Sequence, residues 1–237
     1  MPSTEDRATD SDRGDTHTHR TANAVTMHNQ SDSDPRSFRL QEEGDNDQEN
    51  KKGDGLPNPY EKALFESRTL LISGGVDDKM LKEATMRVMA MEAEDADAPI
   101  TVMINSPGGS ADAGFAIYDL LRFVSCPIRT VVNGLCASAG ILIHLAGDEG
   151  HRFCMSESRF MIHQPSTGGR GQASDLEITA KEVIKLRDRY NKIIGDACDK
   201  DPDDVFDAAR RDFWLDAQQA LEYGLINKVV VTRSDLS

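Results

Sequence analysis

Runs of about 18 or more apolar residues, which a membrane-crossing helix needs, are missing from this sequence of 237 residues. The first thirty residues are polar and acidic and lack the apolar stretch of a secretory leader, so a cytoplasmic location is expected. Positive charge is also scarce: 27 Lys and Arg stand against 41 Asp and Glu, a net −14 with a pI near 4.8. That balance argues against nucleic acid, which demands a basic face, and against anionic lipid. The four cysteines (Cys126, Cys136, Cys154 and Cys198) form no C-x-x-C pair. Neither a zinc site nor a disulfide framework is indicated, and they read as reduced, mostly buried small hydrophobes.

What is present divides into two parts. Residues 1–59 hold 7 basic and 13 acidic residues, a net −6, and almost no aliphatic or aromatic side chains. With so little to bury, such a segment does not offset its chain entropy; it reads as a disordered acidic tail or a propeptide. It contains His17, His19 and His28. A solvated tail is preferred to a metal site there, because His17 and His19 have no carboxylate or thiolate company. Residues 60–237 are long enough for one domain with a real core.

Within that domain, Thr69–Ser73 is a short apolar run, and Asp77 or Asp78 can cap a helix through Met91. Ile100–Ile104 is a second strand, Asn105–Gly109 a turn, and Ile117, Leu120, Leu121 and Val124 recur at helical spacing. Ile128–Asn133 gives a third strand, Ala137–Ala146 an apolar helix and Arg159–Ile162 a further strand. Asp175 to about Asp196 is a long helical pattern after a glycine-rich segment; a helix from Asp216 closes at Gly224, and Ile226–Val231 returns as a strand. The alternation predicts an α/β fold of βαβ units, a mainly parallel sheet buried on both faces, and a site where strands end in loops.

Three segments each contribute one group suited to acyl transfer. In Gly134-Leu135-Cys136-Ala137-Ser138-Ala139-Gly140 the serine has small neighbours and sits at a helix start, where backbone N–H groups are free. Taken alone, Ser138 reads as a helix N-cap. In Arg159 to Pro165, His163 follows a buried strand, a position that suits a general base or a structural histidine equally. His144 and His151, within a helix and beside a turn, read as structural. In Arg210-Arg211-Asp212-Phe213-Trp214, Asp212 can orient an imidazole or simply pair with a neighbouring arginine. Asn105-Ser106-Pro107-Gly108-Gly109 can aim backbone donors at an oxyanion; the Lys and Ser/Thr of a phosphate-binding loop are missing.

Together, Ile104 to Gly109, Ala137-Ser138 with Gly140, Met161 to Pro165, Gly171-Gln172-Ala173 and Glu222 to Ile226 resemble the caseinolytic (Clp) protease proteolytic subunit over about residues 60–231. The resemblance implies a ClpP/crotonase-like fold of stacked βαβ units with a protruding handle, about residues 165–196. It implies a serine endopeptidase with Ser138 as nucleophile, His163 as base, Asp212 as orienting acid, and the Gly109 and Ala139 amides as the oxyanion hole. No metal or other cofactor is implied, ATP being used only by a partner.

The expected partners are peptide and unfolded-protein substrates, copies of the chain in heptameric single and double rings, and an AAA+ unfoldase. Substrate would pair as a strand between Gly109–Ala113 and Gln164–Gly168. The chain departs from the family in Cys136 and Ala139 around the serine, in Thr101 and Met103 at two aromatic positions of the unfoldase pocket, and in Arg210 where an acid is usual. The family's axial loop is replaced by the acidic tail and Gly53–Pro59. A regulatory subunit of a mixed ring is the alternative reading; the carboxylate-dependent acyl-CoA branch of the superfamily fits less well, because Ser, His and Asp are all present.

Overall fold

The computed structural model describes residues 58–168 and 170–236. The tail and propeptide readings, and His17, His19 and His28 with them, lie outside the described residues, apart from Asn58 and Pro59. Pro59 opens helix α1 (Pro59–Glu66), which Asn58 caps by accepting the Tyr60 amide. Proline at the first helical position costs no hydrogen bond.

The expected alternation then appears as β1 (Thr69–Val76), α2 (Asp78–Glu94), β2 (Ile100–Gly109), α3 (Ala111–Phe123), β3 (Ile128–Ala137) and α4 (Ala139–Leu145). Asp77 caps α2, its carboxylate accepting the Met80 amide at 2.8 Å. The rest is β4 (Arg152–Met155), β5 (Arg159–Ile162), α5 (Ala173–Cys198), α6 (Pro202–Ala208), β6 (Phe213–Asp216), α7 (Ala217–Tyr223) and β7 (Lys228–Val230). A 3-10 turn over Arg233–Leu236 follows. Four short elements, α1, β4, α6 and β6, were not anticipated; runs of four to eight residues are too brief to show a period.

The main sheet has the order β1-β2-β3-β4-β7, parallel throughout. Its inward residues Ile72, Val102, Ile104 and Val132 join Val88, Met91, Ile117, Leu121 and Ile141 in one core. Burial on both faces was expected and does not hold. Along β2 burial alternates, so Thr101 and Met103 stay half-buried while Val102 and Ile104 are buried, and Leu71 and Met155 are exposed. These outer residues help line an open hollow of about 840 Å³.

The strand β3 serves two layers. Thr130–Val132 pairs with β4, whereas Leu135–Ala137 pairs with β5, which in turn pairs antiparallel with β6. At the change of layer the Asn105 side chain accepts the Leu135 amide at 3.0 Å, and a Cβ on Gly134 would meet that same oxygen at 2.7 Å. Glycine is required there for close approach.

Helix α5 is long for a reason the core does not supply. Its buried residues (Tyr190, Asn191, Ile194, Gly195 and Cys198) all lie in the second half, while Leu176, Ile178 and Ile184 are exposed.

Where β1 begins, Arg68 donates to the carbonyls of Met91, Asp95, Ala98 and Pro99, tying the end of α2 to the start of β2. Arg68→Ala leaves those carbonyls short of donors and is expected to lower stability by about 1–3 kcal/mol, read as a fall in denaturation midpoint at unchanged m-value.

Candidate functional site

Ser138 is the single residue between the end of β3 and the start of α4, and its backbone is unusual: φ 55, ψ −122. A non-glycine residue there costs about 1–3 kcal/mol and persists only where its surroundings hold it. The side chain makes no helix-capping bond, so the N-cap reading is set aside. Its Oγ instead lies 2.8 Å from Nε2 of His163.

That meeting follows from strand register. The pair Ala137↔Met161 sets β3 beside β5, and the Ser138 amide donates to the Met161 carbonyl at 3.0 Å. One step beyond, the pair Ile162↔Phe213 sets β5 beside β6, so the flanking residues His163 and Asp212 face each other. Asp212 Oδ1 lies 3.9 Å from His163 Nδ1, while Arg210 contacts Asp207 at 3.0 Å. Among the described residues Asp212 makes no ion pair with Arg210 or Arg211. The separation exceeds a hydrogen bond by nearly an ångström, and the Asp212 side chain is 65% exposed. Catalytic hydrogen bonds are often long before substrate binds.

The glycine segment is extended rather than a turn. Register slips between Ser73 and Gly75 and between Ile104 and Ser106 let β2 continue through Gly109. Ser106, fully buried, locks the slip: its hydroxyl donates to the Gly74 carbonyl at 2.6 Å and accepts the Gly108 amide at 3.1 Å. A Cβ on Gly108, φ +87, would lie 2.6 Å from the Ser138 Cβ and 2.9 Å from the Ala139 nitrogen. The glycine backbone thus lies directly on the serine elbow. Gly109, Ser138, Ala139 and His163 share one cleft of about 430 Å³, whose apolar wall includes Phe115, Leu142 and Tyr190.

All five residues singled out from the sequence therefore gather at one place. Of the rim expected to pair with substrate, Gly109–Ala113, only Gly109 is in the strand, because Ser110 caps α3 and Ala111–Ala113 are already helical. On the other rim, Gln164–Gly168 belong to no helix or strand. Sequence reasoning passed over Ser106 and Tyr190. Ser106 was legible as the next inward position after Val102 and Ile104; Tyr190 opens the stripe Tyr190, Ile194, Cys198 at helical spacing.

Cys136, His144 and His151 stand outside this constellation. Burial pushes the Cys136 thiol far above its ordinary range, so it offers no thiolate two residues from the serine. His144 is fully buried against Phe160 and its Nε2 faces the Leu225 carbonyl at 3.2 Å; burial, then Arg152, pushes it down to about 3. His151, exposed, contacts the Glu149 carbonyl at 3.1 Å. Among the described residues, no three His, Cys, Asp or Glu side chains gather as a metal site requires. Nor is any helix there long and apolar enough to cross a membrane.

Comparison with known proteins gives a consistent result. The family described as Clp protease matches residues 53–233. The chain is 42% identical over 173 residues to the ATP-dependent Clp protease proteolytic subunit 2 of Treponema pallidum (strain Nichols), covering 73% of this chain and 87% of that protein. It is 37% identical over 193 residues to proteolytic subunit 3 of Rhizobium meliloti (strain 1021), covering 81% and 98%. A solved structure of a ClpP1 point mutant from Listeria monocytogenes superposes with a TM-score of 0.70 at 34% identity, covering 75% of this chain and 99% of that one. The α/β fold is accordingly the ClpP fold.

Two outcomes are expected from these contacts. Gly108→Ala forces the elbow to shift by a sizeable fraction of an ångström and should lower peptide hydrolysis roughly 100-fold with the protein still folded by circular dichroism. His144, uncharged when folded, gives a contribution to stability that is complete above its ordinary value of 6.5 and lost as pH falls toward about 3. Thermal denaturation at pH 5 against pH 7 should therefore show a loss of about 2 kcal/mol that His144→Gln reduces.

Proposed function

The chain belongs to the Clp protease family and is a serine peptidase, and we propose that within it Ser138 is the nucleophile, His163 the general base and Asp212 the residue that orients the imidazole. The observation that carries this reading is the 2.8 Å contact between Ser138 Oγ and His163 Nε2 at the mouth of the cleft. Oγ attacks the scissile carbonyl carbon while Nε2 takes its proton; the oxyanion is received by the backbone N–H groups of Gly109 and Ala139. The protonated His163 then gives its proton to the leaving amine, and water, activated the same way, releases the acyl group. Asp212 stabilises the charged imidazole through Nδ1 and closes its 3.9 Å gap as the site becomes organised. Side chains, backbone donors and water are sufficient for every step.

The substrate is an extended peptide of an unfolded protein, paired through its backbone beside Gly109 and along Gln164–Gly168, so that pairing tolerates many sequences. The assembly is a chamber of heptameric rings meeting through the handle region. The exposed Leu176, Ile178 and Ile184 on the first half of α5 support it, since apolar side chains on a protruding helix seek a partner. An AAA+ unfoldase feeds the chamber. Its docking place is the 840 Å³ hollow, where Leu71, Met103, Val131, Met155 and Val230 supply apolar lining although Thr101 and Met103 stand in place of aromatic residues. The tail before Asn58 is a propeptide or an acidic extension, and the working location is the cytoplasm.

Labelling with a fluorophosphonate tests the central assignment. Wild-type protein should label and cleave short fluorogenic peptides, whereas Ser138→Ala and His163→Ala should lose labelling and at least about 1000-fold of the cleavage. Undiminished turnover by Ser138→Ala would end the reading, and absence of labelling in wild-type assemblies would favour a regulatory subunit of a mixed ring.

A further inference from the structure

The strained backbone of Ser138 is held from three sides. Its N–H donates to the Met161 carbonyl at 3.0 Å, and its own carbonyl accepts the Ile141 amide at 2.9 Å and the Tyr190 hydroxyl at 3.2 Å. The first two bonds are backbone contacts available to any side chains. The third comes from a specific residue: Tyr190, on the buried half of α5, 5% exposed, with its ring on the wall of the cleft that holds Ser138 and His163.

We propose that Tyr190 is a positioning residue for the oxyanion hole, its hydroxyl fixing the Ser138–Ala139 peptide so that the Ala139 amide points into the cleft. The physical link is the planarity of the peptide group: in a trans peptide the carbonyl and the N–H point in opposite directions, so anchoring the Ser138 oxygen aims the Ala139 hydrogen. A donor on that oxygen also polarises the group and strengthens its N–H as a donor in turn. Burial holds the tyrosine proton well above the ordinary range, so the hydroxyl remains a donor into alkaline conditions. This inference rests on the assignment of Ser138 as nucleophile and Ala139 as oxyanion donor.

The test compares assembled wild-type protein with Tyr190→Phe, which keeps the ring and loses the hydroxyl, and with Tyr190→Met, which keeps apolar bulk without a donor. Peptide hydrolysis is measured together with inhibition by a peptide boronate, whose tetrahedral adduct on the serine occupies the oxyanion site. Because the Ile141 bond persists, kcat in Tyr190→Phe should fall about 3- to 10-fold, with boronate inhibition weakened by a similar factor. KM and the melting temperature should remain near wild type.

Wild-type kcat and boronate affinity in either folded variant would overturn the inference. So would a change in KM or melting temperature with the boronate affinity intact, which marks a purely structural role. If wild type itself is not labelled at Ser138 by the fluorophosphonate, the assignment beneath the inference fails; labelling of wild type together with an unaffected Tyr190→Phe removes the inference alone.

Discussion

Everything at the site depends on β5 being paired on both sides at once. Of its four residues, Arg159–Met161 pair with the end of β3 in parallel and all four pair with β6 in antiparallel register. Because pleated strands alternate faces with a period of two, a slip of one residue on either side would send His163 or Asp212 to the wrong face. The pairs Ala137↔Met161 and Ile162↔Phe213 therefore do more than extend the sheet. They place three chain segments, far apart in sequence, within reach of one another.

The second constraint is crowding, which small residues resolve. Ser138 adopts a backbone that side chains rarely take, and Gly108 lies so close that a methyl group has no room against the elbow. Buried hydrogen bonds offset the local strain: Ser106 stitches β1 to the glycine segment, and the Ser138 peptide is bonded at both ends. A buried hydroxyl such as Ser106 is costly unless satisfied, and here it both donates and accepts. Rigid surroundings of this kind preorganise donors for charge that develops only during reaction.

One face of the sheet, by contrast, is unfinished. Along β2 the inward residues are fully covered while Met103 and Thr101 look toward an open hollow, and the first half of α5 carries apolar side chains into solvent. A protomer with this much unpaired apolar surface has the character of a component. A partner that binds such a surface adds to the stability of the folded state.

The sequence by itself determined the alternation of strands and helices and singled out the candidates Ser138, His163, Asp212, Gly109 and Ala139. Apolar runs, glycines at forced turns and small residues around a serine are local signals, and they survive without knowledge of partners. Only the tertiary structure showed which of those residues meet. Taken alone, Ser138 read as an N-cap and Asp212 as an arginine's partner; in the fold the Ser138 hydroxyl lies on His163 and β6 brings Asp212 alongside the same ring. It also decided that Gly109 ends a strand and that Tyr190 holds the serine carbonyl. These are matters of pairing between distant segments. A four-residue strand such as β6 has too few residues to declare a period, and its position is set by the neighbour whose hydrogen bonds it completes.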